Sequence, residues 1–462
     1  MSVEANYDAA IIGAGQAGSP LARALADAGW RVALIERKHV GGTCINEGCT
    51  PTKTMIASAR VAHLAHRAGE FGVHLSNLRV DMSVVRERKD LMVGSFRAGS
   101  LRRLEKTRGL ALLRGTGRFI APHRIGIVEP SGASQEVRAG TIFIDSGLRP
   151  RIPTLEGLDE VPYLDSTSVM DLDAVPSHLL IVGGGYIGVE FGQMFRRFGS
   201  DVTIIQRASQ LLTREDGDVA EEITEILRED GIRILLDTAP IGVSTAVGGG
   251  IDLRVKNALA EETLQGSHLL VAVGRVPNTE DLHVEAAGIE LDDRGFIPVD
   301  QRLQTAVPGI YALGDVKGGP AFTHISYDDY RIVRANLLED GDATTDDRLI
   351  PYTVFIDPQL GGIGITEREA TQQGRRIRVA KMPMSYVARA LEMDEARGVM
   401  KVLVDVETSQ IAGASILGIE GGEIMAILQM AMLGKLPYTV LRDAVFAHPS
   451  LSEALNNLFG TI

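Results

Sequence analysis

Cysteine is nearly absent from this 462-residue chain, with only Cys44 and Cys49, both in one short stretch. That scarcity excludes a disulfide-stapled secreted scaffold and any complete thiolate zinc site. Positive charge is outweighed as well. The net charge is −13, which argues against a nucleic-acid-binding surface. One basic run stands out, Arg86, Arg88, Lys89, Arg97, Arg102, Arg103, Lys106 and Arg108, and it reads as a solvated helix face. No apolar run reaches the ~18 residues that a membrane span needs. The opening MSVEANYDAAIIGAG has an acid where a leader peptide carries positive charge, and it lacks a cleavable apolar core. The expected address is therefore the cytoplasm, a reducing compartment in which a lone cysteine pair is more readily catalytic than structural.

What abounds is glycine, 51 of 462 residues, or about 11% against a usual ~7%. The length suits about three domains, and the glycines fall into patterns. Tyr7–Ile12 reads as a buried apolar strand that runs into Gly13-Ala14-Gly15-Gln16-Ala17-Gly18. A helix pattern follows through Leu21, Leu25 and Ala28, then a strand from Arg31 to Ile35 that ends at Glu36. Alone, G-x-G-x-x-G is a weak signal. Strand, turn, helix, strand and acid in register make a dinucleotide fingerprint. The glycines let backbone approach a pyrophosphate, the helix N-terminus offers N–H donors, and the carboxylate accepts from a ribose hydroxyl.

The pattern then repeats. Leu179–Val182 leads into Gly183-Gly184-Gly185-Tyr186-Ile187-Gly188, then a helix and a strand from Asp201 to Ile205. This strand ends in Gln206-Arg207 instead of an acid. Arginine can pair with a ribose 2′-phosphate that an acid would repel, so Arg207 tilts this site toward NADP(H) over NAD(H); a plain surface arginine is the alternative. Two dinucleotide sites imply two dinucleotides and electron transfer between them. Gly147–Pro153 and Gly274-Arg275-Val276-Pro277-Asn278 read as linkers. From about Arg348 a further section begins, with strand-like runs at Tyr352–Ile356 and Val399–Val404 and an apolar helix from Gly422 to Leu433.

The cysteines sit in Gly41-Gly42-Thr43-Cys44-Ile45-Asn46-Glu47-Gly48-Cys49-Thr50-Pro51-Thr52-Lys53. Pro51 suits the first turn of a helix running through Ile56, Ala59 and Ala62. Cys49 would then lie at a helix N-terminus, where the dipole and a nearby Lys53 stabilise a thiolate. A reversible dithiol/disulfide follows, against a structural disulfide or half a metal site. Near the other end, His448 stands five residues before Glu453. The pair can act as a base and its orienter, or His448 can be an ordinary loop histidine.

Taken together these motifs resemble the flavin-dependent pyridine nucleotide–disulfide oxidoreductases, over essentially the whole chain. Four features carry the resemblance: G-G-T-C-x-N-x-G-C-x-P-[ST]-K at Gly41–Lys53, the two glycine turns, the box ending at Gly314-Asp315, and H-P-x-x-x-E at His448–Glu453. The resemblance implies a glutathione-reductase-like α/β fold, with two Rossmann-like dinucleotide-binding domains and a C-terminal α+β dimerisation domain. The expected bounds are 1–150 for FAD binding, 151–278 for NAD(P)H binding, 279–347 for a return to the FAD domain, and 348–462 for dimerisation. FAD would lie on Gly13, Gly15 and Gly18, with Glu36 at its adenosine ribose, Gly42 and Thr43 beside it, and Asp315 at its ribityl chain. The pyridine nucleotide would take Gly183, Gly185, Gly188, Arg207 and Gly274. Cys49 would face the flavin and Cys44 the acceptor, with Lys53 paired to Glu190. His448 and Glu453 would complete the active site of the partner in a homodimer.

Within the family, Phe322–Arg334 and the run from Leu436 through Asn456 resemble the mercuric-reductase-like branch, in particular its reactive-chlorine-resistance copper(II) reductases. The acceptor implied is a metal ion or a small oxidant, with Cys44 and Cys49 as its thiolates and no structural metal. Mercuric reductases carry a further cysteine pair at the C-terminus, whereas this chain ends Asn457–Ile462 and keeps His448. Mercury is thus the less expected substrate. A disulfide reductase or dihydrolipoamide dehydrogenase is the alternative that the His448–Glu453 pair favours. A non-catalytic flavoprotein component of a multienzyme complex is the third.

Overall fold

The computed structural model describes residues 4–462; Met1–Val3, which open the stretch weighed above for a leader, lie outside the described residues. The chain forms two compact units. The first takes the residues up to Thr54, then Arg86–Arg151 and Arg275–Arg348. Its sheet orders the strands Leu110–Arg114, Val32–Glu36, Glu4–Ile12, Ser134–Ile144, Arg124–Val128 and Thr116–Ala121. Ile310–Ala312 adds a parallel partner to the last residues of Ser134–Ile144. The central pairings are parallel, with Ile11 opposite Leu34 on one side and Phe143 on the other. Parallel strands need both faces covered, and here successive residues alternate between two cores. Ala9, Ile11, Val32 and Leu34 pack with Leu21 and Leu25 of the helix Gly18–Asp27. Ala10, Ile12, Ala33 and Ile35 pack on the opposite face with Phe119 and Ile310. This is why those strands read as unbroken apolar runs.

The second unit comprises Met55–Val85, Ile152–Gly274 and Leu349–Ile462. It holds a parallel sheet in the order Arg233–Leu235, Asp201–Ile205, His178–Val182, His268–Val271, and a three-stranded antiparallel sheet of Ala239–Thr245, Ile251–Lys256 and Glu261–Gly266. A third, five-stranded antiparallel sheet is built from Tyr352–Val354, Gln359–Gly364, Ile411–Gly418, Val399–Asp405 and Ile377–Pro383. The apolar helix Gly421–Leu433 buries Ile424, Met425 and Leu428 in the core of that sheet. The expected architecture of two βαβ nucleotide folds plus a C-terminal α+β section is the one observed.

Two local expectations change. The segments read as linkers pair with each other: Leu148–Pro150 and Arg275–Pro277 form an antiparallel ribbon with Leu148 opposite Pro277. Each strand ends in an X-Pro step, which biases the chain toward extended backbone, so a strand signal and a break signal coincide there. The basic run is not uniformly solvated either. On the helix Met82–Glu105, Lys89 is only 5% exposed and pairs with Asp90, while Arg88 donates to the Thr54 carbonyl and Arg97 to Asn46.

Candidate active site

The first glycine turn is built by close approach. Gly13 has φ +105°, and a Cβ there would lie 2.1 Å from the Asp145 carbonyl oxygen; a Cβ on Gly18 would lie 2.2 Å from the Gly13 carbonyl oxygen. Only glycine fits such contacts. The Ala14 N–H donates to Glu36 Oε2 at 2.9 Å, and the Lys38 N–H donates to Oε1 at 2.8 Å. Glu36 is thus fixed at the end of its strand beside the turn. The helix Gly18–Asp27 carries no acid in its own first turn, so its dipole favours an anion there, although the Gly18 N–H already donates to the Asp145 carboxyl. From distant segments, Gly314 (φ +66°) and Asp315 join the site, the Gly314 N–H donating to the fully buried Asp329 at 2.8 Å. Burial pushes the Asp315 carboxyl up, against the pull of Arg275 and Lys317. Ser146 Oγ and Arg275 Nε are buried without a partner in this unit. A glycine cradle, a helix N-terminus, carboxylates for hydroxyl groups and unsatisfied polar atoms together fit a bound flavin dinucleotide.

The second turn repeats the construction with different chemistry. Gly183 has φ +113° with a would-be Cβ 2.4 Å from the Ala272 carbonyl oxygen, and that of Gly188 would sit 1.9 Å from the Gly183 carbonyl oxygen. Gly185 and Gly274 face open space within this unit. Where Glu36 accepts from Ala14, here Gln206 Oε1 accepts from the Gly184 N–H at 3.1 Å, and Gln206 Nε2 donates to the Gln210 carbonyl. A neutral amide has replaced the carboxylate, and the next residue, Arg207, is exposed. Tyr186 opens the helix Tyr186–Phe198 and donates to buried Glu215 at 3.3 Å, sharing it with Tyr352 at 2.8 Å. The two rings stack at 5.8 Å.

The redox loop is tied to the first turn. The Gly41 N–H donates to the Ala14 carbonyl at 2.7 Å, Gln16 donates to the Gly41 carbonyl at 2.8 Å, and a Cβ on Gly42 would lie 2.8 Å from Gly15 Cα. Asn46 donates to the carbonyls of Val40 and Gly42, closing the loop around the short helix Gly42–Asn46. Cys44 lies on that helix, half-buried, and Cys49 begins the helix Cys49–Arg67, exposed. No acid occupies the first turn of the Cys49 helix. The Cys44 thiol is hydrogen-bonded to Cys49, and this bond with burial pushes the Cys44 thiol up, although the Lys53 charge pulls it down. Cys49 Sγ also lies 3.4 Å from Thr323 Oγ1. Thr43 accepts from Arg275 at 3.4 Å.

In the second unit, Glu190 is 7% exposed, one turn into the helix Tyr186–Phe198, and accepts from the Phe355 N–H at 2.8 Å. Lys53 is half-buried in the first unit. His448 and Glu453 are brought together, with Nδ1 of His448 2.8 Å from Glu453 Oε1. The Glu453 carboxylate raises the His448 pKa and is itself lowered by the imidazole. The side chain of His448 is 69% exposed. Among the described residues no three His, Cys, Asp or Glu side chains gather into a metal cage.

Several contributors were not singled out by sequence reasoning. Asp145, Asp329, Arg275 and Thr323 reach the site from remote segments, and no local motif marks them. Gln206 and Asn46 were visible in quoted motifs, but only the hydrogen bonds reveal what they hold.

Comparison with known proteins is consistent along the whole chain. The family model described as pyridine nucleotide-disulphide oxidoreductase matches residues 7–329, and the dimerisation domain of that family matches residues 350–459. The chain is 42% identical over 460 residues to the probable pyridine nucleotide-disulfide oxidoreductase RclA of Escherichia coli (strain K12), with 99% of each covered. It is 32% identical over 452 residues to a mercuric reductase of Staphylococcus aureus, covering 98% of this chain and 82% of that one. Among solved structures, the Cu(II) complex of the HOCl-induced flavoprotein disulfide reductase RclA from Escherichia coli matches with a TM-score of 0.90 at 41% identity, covering 99% of this chain and 100% of that chain. No helix among the described residues is long and apolar enough to cross a membrane. The chain belongs to the pyridine nucleotide–disulfide oxidoreductase family, with its glutathione-reductase-like fold and its dependence on FAD and a pyridine nucleotide.

Proposed function

We propose that this flavoprotein disulfide oxidoreductase is an NADPH-dependent reductase of a metal ion or small oxidant, working through a Cys44–Cys49 dithiol. The observation that carries the reading is the hydrogen-bonded thiol pair on a loop pinned to the first nucleotide turn, with Cys49 at a helix N-terminus. FAD would be held by Gly13, Gly15, Gly18, Glu36, Gly42, Thr43, Gly314 and Asp315. The pyridine nucleotide would take Gly183, Gly185, Gly188, Arg207 and Gly274, and the neutral Gln206 beside Arg207 supports a 2′-phosphate there. The chemistry that a bound flavin supplies is hydride acceptance from the nicotinamide and release of an electron pair to the disulfide.

The remaining work belongs to this chain's residues. Reduction opens the Cys44–Cys49 bond to two sulfurs. The helix dipole favours charge on Cys49, while the proton rests on Cys44, held there by burial and by the bond to Cys49. Before Cys44 attacks an acceptor it must give up that proton, which calls for a base. His448, made more basic by Glu453, is the base in this reading, acting on the partner's site in a homodimer. Lys53 would sit at the flavin's reactive edge. Soft thiolates suit a soft metal substrate, and the similarity to a protein solved as its Cu(II) complex supports copper as the metal.

The acceptor is tested by stopped-flow NADPH oxidation with Cu(II), Hg(II), oxidised glutathione and lipoamide offered in turn. Fastest turnover with Cu(II), lost in Cys44→Ser while NADPH still bleaches the flavin, supports the proposal. Preference for lipoamide with NAD would overturn it in favour of a dihydrolipoamide dehydrogenase, the reading that the His448–Glu453 pair also allows.

A further inference from the structure

One buried acid at the first turn takes no part in the function proposed above. Asp145 follows the strand Ser134–Ile144 and is 8% exposed. Its Oδ2 accepts the Gly18 N–H at 2.8 Å. A Cβ on Gly15, Gly18 or Gly314 would lie 2.6, 2.9 or 2.8 Å from its carboxyl oxygens, so three glycines from two motifs leave room for this one side chain. The charged groups that act on it most strongly are all acids: Asp315 from the Gly314–Lys317 turn, Asp329 from the helix Thr323–Leu338, and Glu36 from the strand Val32–Glu36. Two of these have cations of their own. Arg275 lies 3.9 Å from Asp315, and Asp329 pairs with Lys317 at 3.3 Å and Arg348 at 2.9 Å. Among the described residues Asp145 has no such partner. Burial and the facing acids hold its carboxyl well above the usual carboxylate range.

The second turn supplies an internal control. Ala272 occupies the corresponding position: its N–H donates to the Val182 carbonyl at 2.8 Å, as that of Asp145 donates to Ile12 at 2.8 Å. Its carbonyl oxygen stands against Gly183 as that of Asp145 stands against Gly13. The geometry of a nucleotide turn therefore does not require an acid here. An ionised carboxylate would oppose the pyrophosphate that such a turn receives.

We propose that Asp145 accommodates the flavin dinucleotide only as the neutral acid, taking up a proton as the dinucleotide seats, so that flavin retention falls as pH rises. The sign follows from linkage. A proton held more tightly in the loaded state makes affinity greatest at low pH, and affinity then falls by up to about tenfold per pH unit between the two titration points. The inference rests on the first turn holding FAD.

The test is to dilute the holoprotein and read released flavin by its fluorescence at equilibrium, between about pH 6 and about pH 9, clear of ordinary carboxylate titration. The dissociation constant of the wild type should rise about tenfold or more across that span. In Asp145→Asn, and in Asp145→Ala patterned on Ala272, it should change by no more than about twofold and be the tighter at the alkaline end. Calorimetry of FAD binding in two buffers of different ionisation enthalpy should show net proton uptake by the wild type, a readout that stands even if neither variant folds. Equal pH slopes in wild type and Asp145→Asn, a flat wild type, or no proton uptake would overturn the proposal. A wild type that holds no FAD at any pH would also overturn the assignment of the first turn, whereas tight, pH-independent binding overturns only the role of Asp145.

Discussion

The two glycine turns are the same device built twice, and they differ where charge is concerned. In both, the backbone is pinned by a strand carbonyl, Ile35 for Gly13 and Ile205 for Gly183, and the last glycine packs against the carbonyl of the first. In both, a turn N–H donates to the side chain that ends the next strand. At the first turn that side chain is the carboxylate of Glu36; at the second it is the amide of Gln206. The first adds the acid Asp145 where the second has Ala272. Geometry is therefore held constant while the electrostatics differ. A ribose hydroxyl suits a carboxylate, and a 2′-phosphate suits an amide beside Arg207.

The largest expected effect separates the turns outright. Gly18→Ala would drive a Cβ into the Gly13 carbonyl, and the protein should purify with little or no flavin. Gly188→Ala makes the same clash at the second turn and should leave the flavin bound while raising the KM for NADPH by upwards of about tenfold. Flavin absorbance and steady-state kinetics check both, and equal flavin loss in the two variants would break the comparison. The smallest effect lies away from both turns. In Glu453→Gln, flavin content and the KM for NADPH should hold. His448 loses the partner that raises its pKa, so the neutral base persists to lower pH and the acid limb of acceptor turnover moves down in pH. An unmoved limb would remove His448 from proton transfer.

Legibility in the sequence followed distance along the chain. Both βαβ units were readable because the apolar strand, the glycines and the terminal residue fall within about 30 residues, the scale of that motif. The redox loop was readable because its two cysteines share one short segment. What was missed is long-range. Gly18 and Asp145 are 127 positions apart, and Cys49 and Thr323 are 274 apart. Only the parallel pairing of Glu4–Ile12 with Ser134–Ile144 sets Asp145 against the turn, since that register carries Asp145 just past Ile12. Lys89 departs from a solvated face for a related reason. On a helix rich in arginine, the one lysine on the buried face looks like its neighbours until the packing is known.

In the proposed function NADPH enters at the second turn, where Gln206 and Arg207 stand in place of an acid. The most direct test is the KM for NADPH and for NADH in the wild type and in Arg207→Glu. The wild type should prefer NADPH. The variant should lose roughly tenfold or more in KM for NADPH, as expected for a lost charge-assisted bond, with little change for NADH. An equal change for both nucleotides, or a wild type that prefers NADH, would contradict it.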